Sequence, residues 1–221
     1  MLSYSEQFLL LTVDPVSGRL FPIPEQVMHL TLAGALLLDA SFNSLINDDW
    51  EQLTVLQTTY TGKPALDEAL RCLLLFEKSI PLNQAVAVVA AHGTTLSKMT
   101  WDSLQKQQVL NQKKLPIFSE KKKQEYFSPD LSLVVAIHKK IRDTILSVEI
   151  PNVEMPPLVS LIEAAGLTKY ILKPEEKNRS SERIAWLAGM ESLGREIIRL
   201  VRALEIADLE KKVAGFIGLN H

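Results

Sequence analysis

The sequence predicts a mainly α protein: a single-domain helical bundle spanning residues 1–221, with amphipathic outer helices and two small β-hairpins. Three observations carry that prediction. Apolar residues recur at spacings of three and four, as at Ile184, Leu187, Met190, Leu193, Ile197, Leu200, Val201 and Leu204, the period of one helical face. The chain is 47% hydrophobic with a net charge of −2, too apolar and too weakly charged to stay unfolded and long enough to bury a substantial core. Short runs containing β-branched or aromatic residues flank polar turns at only two places, each reading as a hairpin.

In chain order, Ser3 or Ser5 followed by Glu6 marks a helix start, with a first short helix over Gln7–Val13. Asp14 to Gly18 is a turn by residue type. Pro22 and Pro24 precede a helix over Glu25–Phe42, where proline is tolerated in the first turn. That helix is apolar nearly all round, which predicts a central buried element. Its small residues Ala33, Gly34 and Ala35 invite close approach of a neighbour. Leu45–Ile46 and Leu53–Leu56, around Asn47 to Asp49, form the first expected hairpin.

Thr61 to Pro64 punctuates the chain before a helix over Ala65–Glu77. Pro81 opens a helix over Leu82–Ala91, which His92 and Gly93 are expected to close. A further helix is expected over Leu96–Gln112. Leu115–Phe118 and Gln124–Phe127 bracket Ser119–Lys123 as a second hairpin with a lysine-rich tip. Helices follow over Leu131–Val148, over Pro157–Ala165 with Gly166 as C-cap, and over Ser180–Phe216, which Gly189 and Gly194 loosen or break. Pro174–Asn178 reads as a charged loop.

Several chemistries are not encoded. There is no glycine-rich phosphate loop, no H-E-x-x-H and no G-x-S-x-G. Neither a cofactor nor a metal is expected, and no catalytic residue is assigned. The four histidines are scattered, and none lies at metal-ligand spacing from another. The adjacent acids Asp67 and Glu68 are explained by the positive end of their helix. Cys72, among leucines, reads as a buried inert thiol, and a single cysteine excludes an internal disulfide. The first residues lack a secretory signal, and the apolar runs are too short to span a bilayer. The expectation is a cytoplasmic protein whose membrane contact, if any, is peripheral.

The charge is unevenly distributed. Lys113, Lys114, Lys121, Lys122, Lys123, Lys139, Lys140 and Arg142 share a window with three acids, Glu120, Glu125 and Asp130. Residues 113–142 therefore carry +5 and the rest of the chain −7. Tyr126 and Phe127 follow the lysine-rich tip directly. Lysines beside aromatics suit an anionic bilayer surface, where each basic side chain gains about 1 kcal/mol and rings enter the interface. A solvated, edge-protecting hairpin tip is the plain alternative. A nucleic-acid-binding wing is disfavoured, because the preceding helix offers Lys98, Lys106 and Asp102 but no arginine to read bases.

Four segments in order resemble the Golgi phosphoprotein three family, phosphoinositide-binding peripheral membrane proteins with bacterial relatives. They are the opening Ser5 to Leu11 with the turn at Gly18, the stretch Leu32 to Ala40, the segment Leu66 to Leu70, and the helix Leu187 to Glu205. The resemblance implies a helical fold around a central bundle, without catalysis. It also implies an anionic membrane surface or a phosphatidylinositol 4-phosphate headgroup as partner, on one basic face. The family's pocket tryptophan and arginine fall at Pro24 and Ala33, and two further arginines fall near Met99 and Asp102, where an acid would repel phosphate. The counterpart of the membrane-inserting loop lies around Tyr126 and Phe127. The lipid-binding residues expected are thus Lys113, Lys114, Lys121, Lys122, Lys123, Tyr126 and Phe127, and the compact form resembles a bacterial member. The other reading is an interaction scaffold with a protein partner or a second copy, lacking phosphoinositide binding.

Overall fold

The computed structural model describes residues 2–49, 51–57, 60–74, 76, 79–115 and 126–218. It is mainly helical, as expected, with 66% helix. Its buried apolar side chains form one contiguous cluster.

Helix α1 (Tyr4–Leu11) is capped by Ser3, one of the two serines expected to mark its start, but begins three residues before and ends two residues before the expected Gln7–Val13, because the cap lets the helix begin directly after Ser3. The Ser3 hydroxyl accepts from the Glu6 amide at 3.3 Å and the Glu6 carboxylate from the Ser3 amide at 2.9 Å, a reciprocal capping box. The turn after it is closed by a bridge between Val13 and Leu20. Helix α2 (Glu25–Phe42) has the expected bounds and is buried without interruption from Thr31 to Ala40. It packs against α1 and against five later helices, which is why its sequence shows no polar stripe.

The first hairpin is present as β1 (Ile46–Asp48) and β2 (Gln52–Val55), but it is two thirds of a sheet. Helix α3 (Pro64–Leu73) ends four residues short of the expected Glu77, and β3 (Ser79–Pro81) pairs antiparallel with β2, Leu53 opposite Ile80. The apolar run before Pro81 resembles a helix end locally; the pairing with β2 is a long-range contact that periodicity does not carry. Helix α4 (Leu82–Ala90) follows.

Gly93 does not close α4. It opens α5 (Gly93–Lys106), and a Cβ there would lie 2.2 Å from Cγ of His29. The glycine is needed for close approach to α2, not for a helix stop. Helix α5 ends six residues before the expected Gln112, because Gln108 takes a positive φ of 59° and turns the chain into β4 (Leu110–Leu115). Strand β4 pairs antiparallel with β5 (Tyr126–Pro129).

Helix α6 (Leu131–Leu146) is capped by Asp130, whose side chain accepts from the Ser132 amide at 2.9 Å. Helix α7 (Met155–Ala164) begins with two prolines in its first turn and is almost wholly buried. Gly166 terminates it at φ 66°, the expected C-cap. After α8 (Thr168–Ile171), the expected charged loop is a short helix, α9 (Pro174–Arg179). Proline at its start and acids in its first turn favour that helix locally, and Arg142 of α6 grips Glu176.

The single long C-terminal helix is two, α10 (Ser181–Ala188) and α11 (Ser192–Gly218), broken at Gly189 as that residue allowed. Met190, counted with the apolar face, lies in the break and is half exposed. Glu191 restarts the helix by accepting from the Leu193 and Gly194 amides at 3.0 and 2.6 Å. No described helix is long and apolar enough to cross a membrane.

Candidate functional site

The expected basic face resolves into two regions at opposite ends of α6. At its N-terminal end stands the β4–β5 ladder. Leu110 pairs with Pro129, Asn111 with Ser128, Lys114 with Phe127 and Leu115 with Tyr126, with a register shift between Asn111 and Lys114. The ladder is fastened at its base, where the Asp130 amide donates to the Val109 carbonyl at 2.7 Å. The two strands pair with each other and otherwise meet chiefly α5. Lys113, Lys114, Tyr126 and Phe127 therefore sit on adjacent strands beside the helical core. Their chain path agrees with the expected hairpin, although the strands begin nearer its base. Lys121, Lys122 and Lys123 lie outside the described residues.

The basic residues of α6 are a separate matter. Arg142 forms a two-pronged ion pair with Glu176, its Nε 3.2 Å from Oε2. That contact holds Glu176 below the usual carboxylate range. Lys140 lies 3.8 Å from Glu154. Two of the eight cations in the window thus meet acids contributed from outside it. The local excess of +5 overstates the positive charge of this surface.

Lys139 and Lys140 line a groove of about 570 Å³ that also takes in Asp143, Glu149 and Arg183. Arg183 is held there by donating to the Glu149 carbonyl and by lying over the Trp186 ring, 4.6 Å from its centroid, a cation–π arrangement. Above the groove, the loop between α6 and α7 exposes Val148 at 96%, Ile150 at 89% and Val153 at 74%. Three bare aliphatics within six residues form an exposed apolar patch of the kind that marks contact surfaces. Sequence reasoning passed over them. Their signal was available: Val148, Ile150 and Val153 interrupt a stretch otherwise made of Glu, Pro and Asn.

The positions equated with the family's headgroup pocket are not gathered on that surface. Ala33 is wholly buried in the core, Pro24 caps the start of α2, and Asp102 is exposed on α5. Asp67 and Glu68 divide as helix-start acids. Asp67 accepts from the Thr61 amide and hydroxyl at 2.8 and 2.6 Å, and Glu68 pairs with Arg71. Cys72 is buried, as expected, and burial raises its thiol pKa.

Against protein families, the description Golgi phosphoprotein 3 (GPP34) matches residues 5–204. The chain belongs to the Golgi phosphoprotein 3 family. The match takes in the first three segments on which the resemblance was drawn and all but the final residue of the fourth. A comparison with curated proteins found no match. Membership in the Golgi phosphoprotein 3 family is consistent with a non-enzymatic, Golgi-associated protein.

Proposed function

We propose that this chain is a peripheral membrane protein of a single domain that binds anionic lipid without catalysis, phosphatidylinositol 4-phosphate being the headgroup its family suggests. The observation that carries the reading is the arrangement along α6. The ladder bearing Lys113, Lys114, Tyr126 and Phe127 leads into one end of the helix, and the exposed loop with Val148, Ile150 and Val153 leaves the other. Sixteen residues of helix separate them, about 24 Å. The solvent side of α6 between them carries Val135, Lys139, Lys140 and Leu146, together with Asp143. A helix lying along the bilayer surface would bring both ends into contact: lysines with anionic headgroups, aliphatics and aromatic rings with the interface.

The test is co-sedimentation of the full chain with phosphatidylcholine vesicles, with and without an added anionic lipid or phosphatidylinositol 4-phosphate. Binding should require the anionic component and weaken from low to high salt. Replacing Lys121, Lys122 and Lys123 together by Glu should cost about 100-fold in partitioning, from about 1 kcal/mol per lysine. A wild-type chain indifferent to anionic vesicles at low salt ends the proposal.

A further inference from the structure

Away from that face, three side chains of different chemistry converge where α3 meets the junction of α4 and α5. Glu68 and Cys72 stand four residues apart on α3, hence on one side of the helix. His92 comes from the connection between α4 and α5. One carboxylate oxygen, the Cys72 sulfur and one imidazole nitrogen all lie within 4.8 Å of one another. Neither the spacing of the histidines nor the single cysteine announces this group, because its third member arrives through the fold.

We propose that Glu68, Cys72 and His92 form a binding site for a transition-metal cation of the zinc type, with water as fourth ligand. The donors are one oxygen, one sulfur and one nitrogen. That set suits zinc or cobalt and disfavours magnesium and calcium, which take oxygen ligands. Tetrahedral ligation at about 2.3 Å to sulfur and 2.0–2.2 Å to nitrogen and oxygen needs the donor atoms to close by roughly 1 Å. Glu68 and His92 can supply that movement, the first through a long side chain and the second because it is exposed. Cys72 is 2% exposed and provides the fixed floor. The open side, at His92, is the path of entry.

Charge is balanced by binding. The cation displaces the thiol proton to solvent and bonds the thiolate, so thiolate and carboxylate together neutralise its two positive charges. At present the Arg71 guanidinium occupies Glu68, with hydrogen bonds of 2.8 and 2.6 Å. Arg71 is largely exposed and can swing into solvent, where a surface ion pair of this kind is cheaply replaced. The metal would tie α3 to the start of α5. It is independent of the lipid reading, since none of its ligands lies on α6 or the hairpin.

The experiment is a cobalt(II) titration of the full, untagged chain after chelator treatment, under reducing conditions, read by absorption and followed by zinc competition. One equivalent of cobalt should produce a thiolate-to-metal charge-transfer band that zinc abolishes. Cys72→Ser should remove the band, and Glu68→Gln should weaken binding at least tenfold. His92→Asn, at an exposed position where circular dichroism should show the fold intact, should also weaken it at least tenfold and decides the matter if Cys72→Ser does not fold. A wild-type chain that gives no band at micromolar cobalt overturns the site. So does a band retained with unchanged affinity in His92→Asn.

Discussion

The carboxylate of Asp39, buried near the end of α2, accepts the Ser5 hydroxyl at 2.6 Å. It also takes the Tyr4 and Ser5 amides at 2.6 and 3.1 Å, so α2 caps the first turn of α1 from outside. Burial raises the pKa of Asp39, against the lowering effect of those three donors. Glu6 continues the join by accepting from Ser103 of α5 and from Gln107, which caps that helix, at 2.8 and 2.5 Å. One polar node thus joins three helices.

Removing that acceptor leaves the Tyr4 and Ser5 amides buried without partners, while the Ser5 hydroxyl keeps only the Ser3 hydroxyl at 2.9 Å. Asp39→Ala is expected to cost about 2–5 kcal/mol, since each unsatisfied buried donor costs about 1–3 kcal/mol and the groups relax jointly. Asp39→Asn, which keeps one acceptor oxygen, should cost less. Urea unfolding of both variants checks the order; equal losses would contradict it.

Gly34 is the crossing point of α2 and α11. A Cβ there would fall 2.0 Å from Cδ1 of the buried Ile197. Gly34→Ala should therefore destabilise by about 1–3 kcal/mol through overpacking. Combining it with Ile197→Val should cost less than the sum of the single losses, because contacting sites couple. Additive losses in a double-mutant cycle would show that the helices do not cross there.

His138 on α6 is 7% exposed, with Nε2 unpartnered and its ring 6.2 Å from that of Phe21. Desolvation lowers its pKa, opposed by Val13, Asp14 and Leu11. The unfolded chain therefore takes up a proton near pH 6.5 that the folded chain refuses. Stability supplied by the neutral ring is complete above that pH and is lost as pH falls through it, by at most about 1.4 kcal/mol per pH unit. Unfolding free energies measured from pH 7.5 to 5 should fall more steeply for wild type than for His138→Phe. Parallel curves would refute the assignment.

Val148, Ile150 and Val153 cover no core, so their joint replacement by Ser should leave stability within about 0.5 kcal/mol per site. If they enter a bilayer, partitioning onto anionic vesicles should fall at least tenfold, about 1.4 kcal/mol, while the salt dependence persists. Unchanged partitioning would confine lipid contact to the hairpin end of α6.

The helical class, the bounds of α2, a first cap at Ser3 or Ser5, the C-cap at Gly166 and the family are all legible in the linear chain. These rest on local signals: a side-chain period, a capping pair, a residue that tolerates positive φ, and an ordered set of segments. Tertiary structure decided the rest. Strand β3 exists because β2 lies beside it, and Gly93 is a contact with His29 where it looked like a helix stop. The +5 of residues 113–142 is trimmed by Glu154 and Glu176, which are distant in sequence and adjacent in space. Glu68, Cys72 and His92 likewise become neighbours only when α3 packs on the α4–α5 junction. A linear chain displays periods and caps within a few residues, whereas charge pairing and ligand convergence depend on distances that folding alone sets.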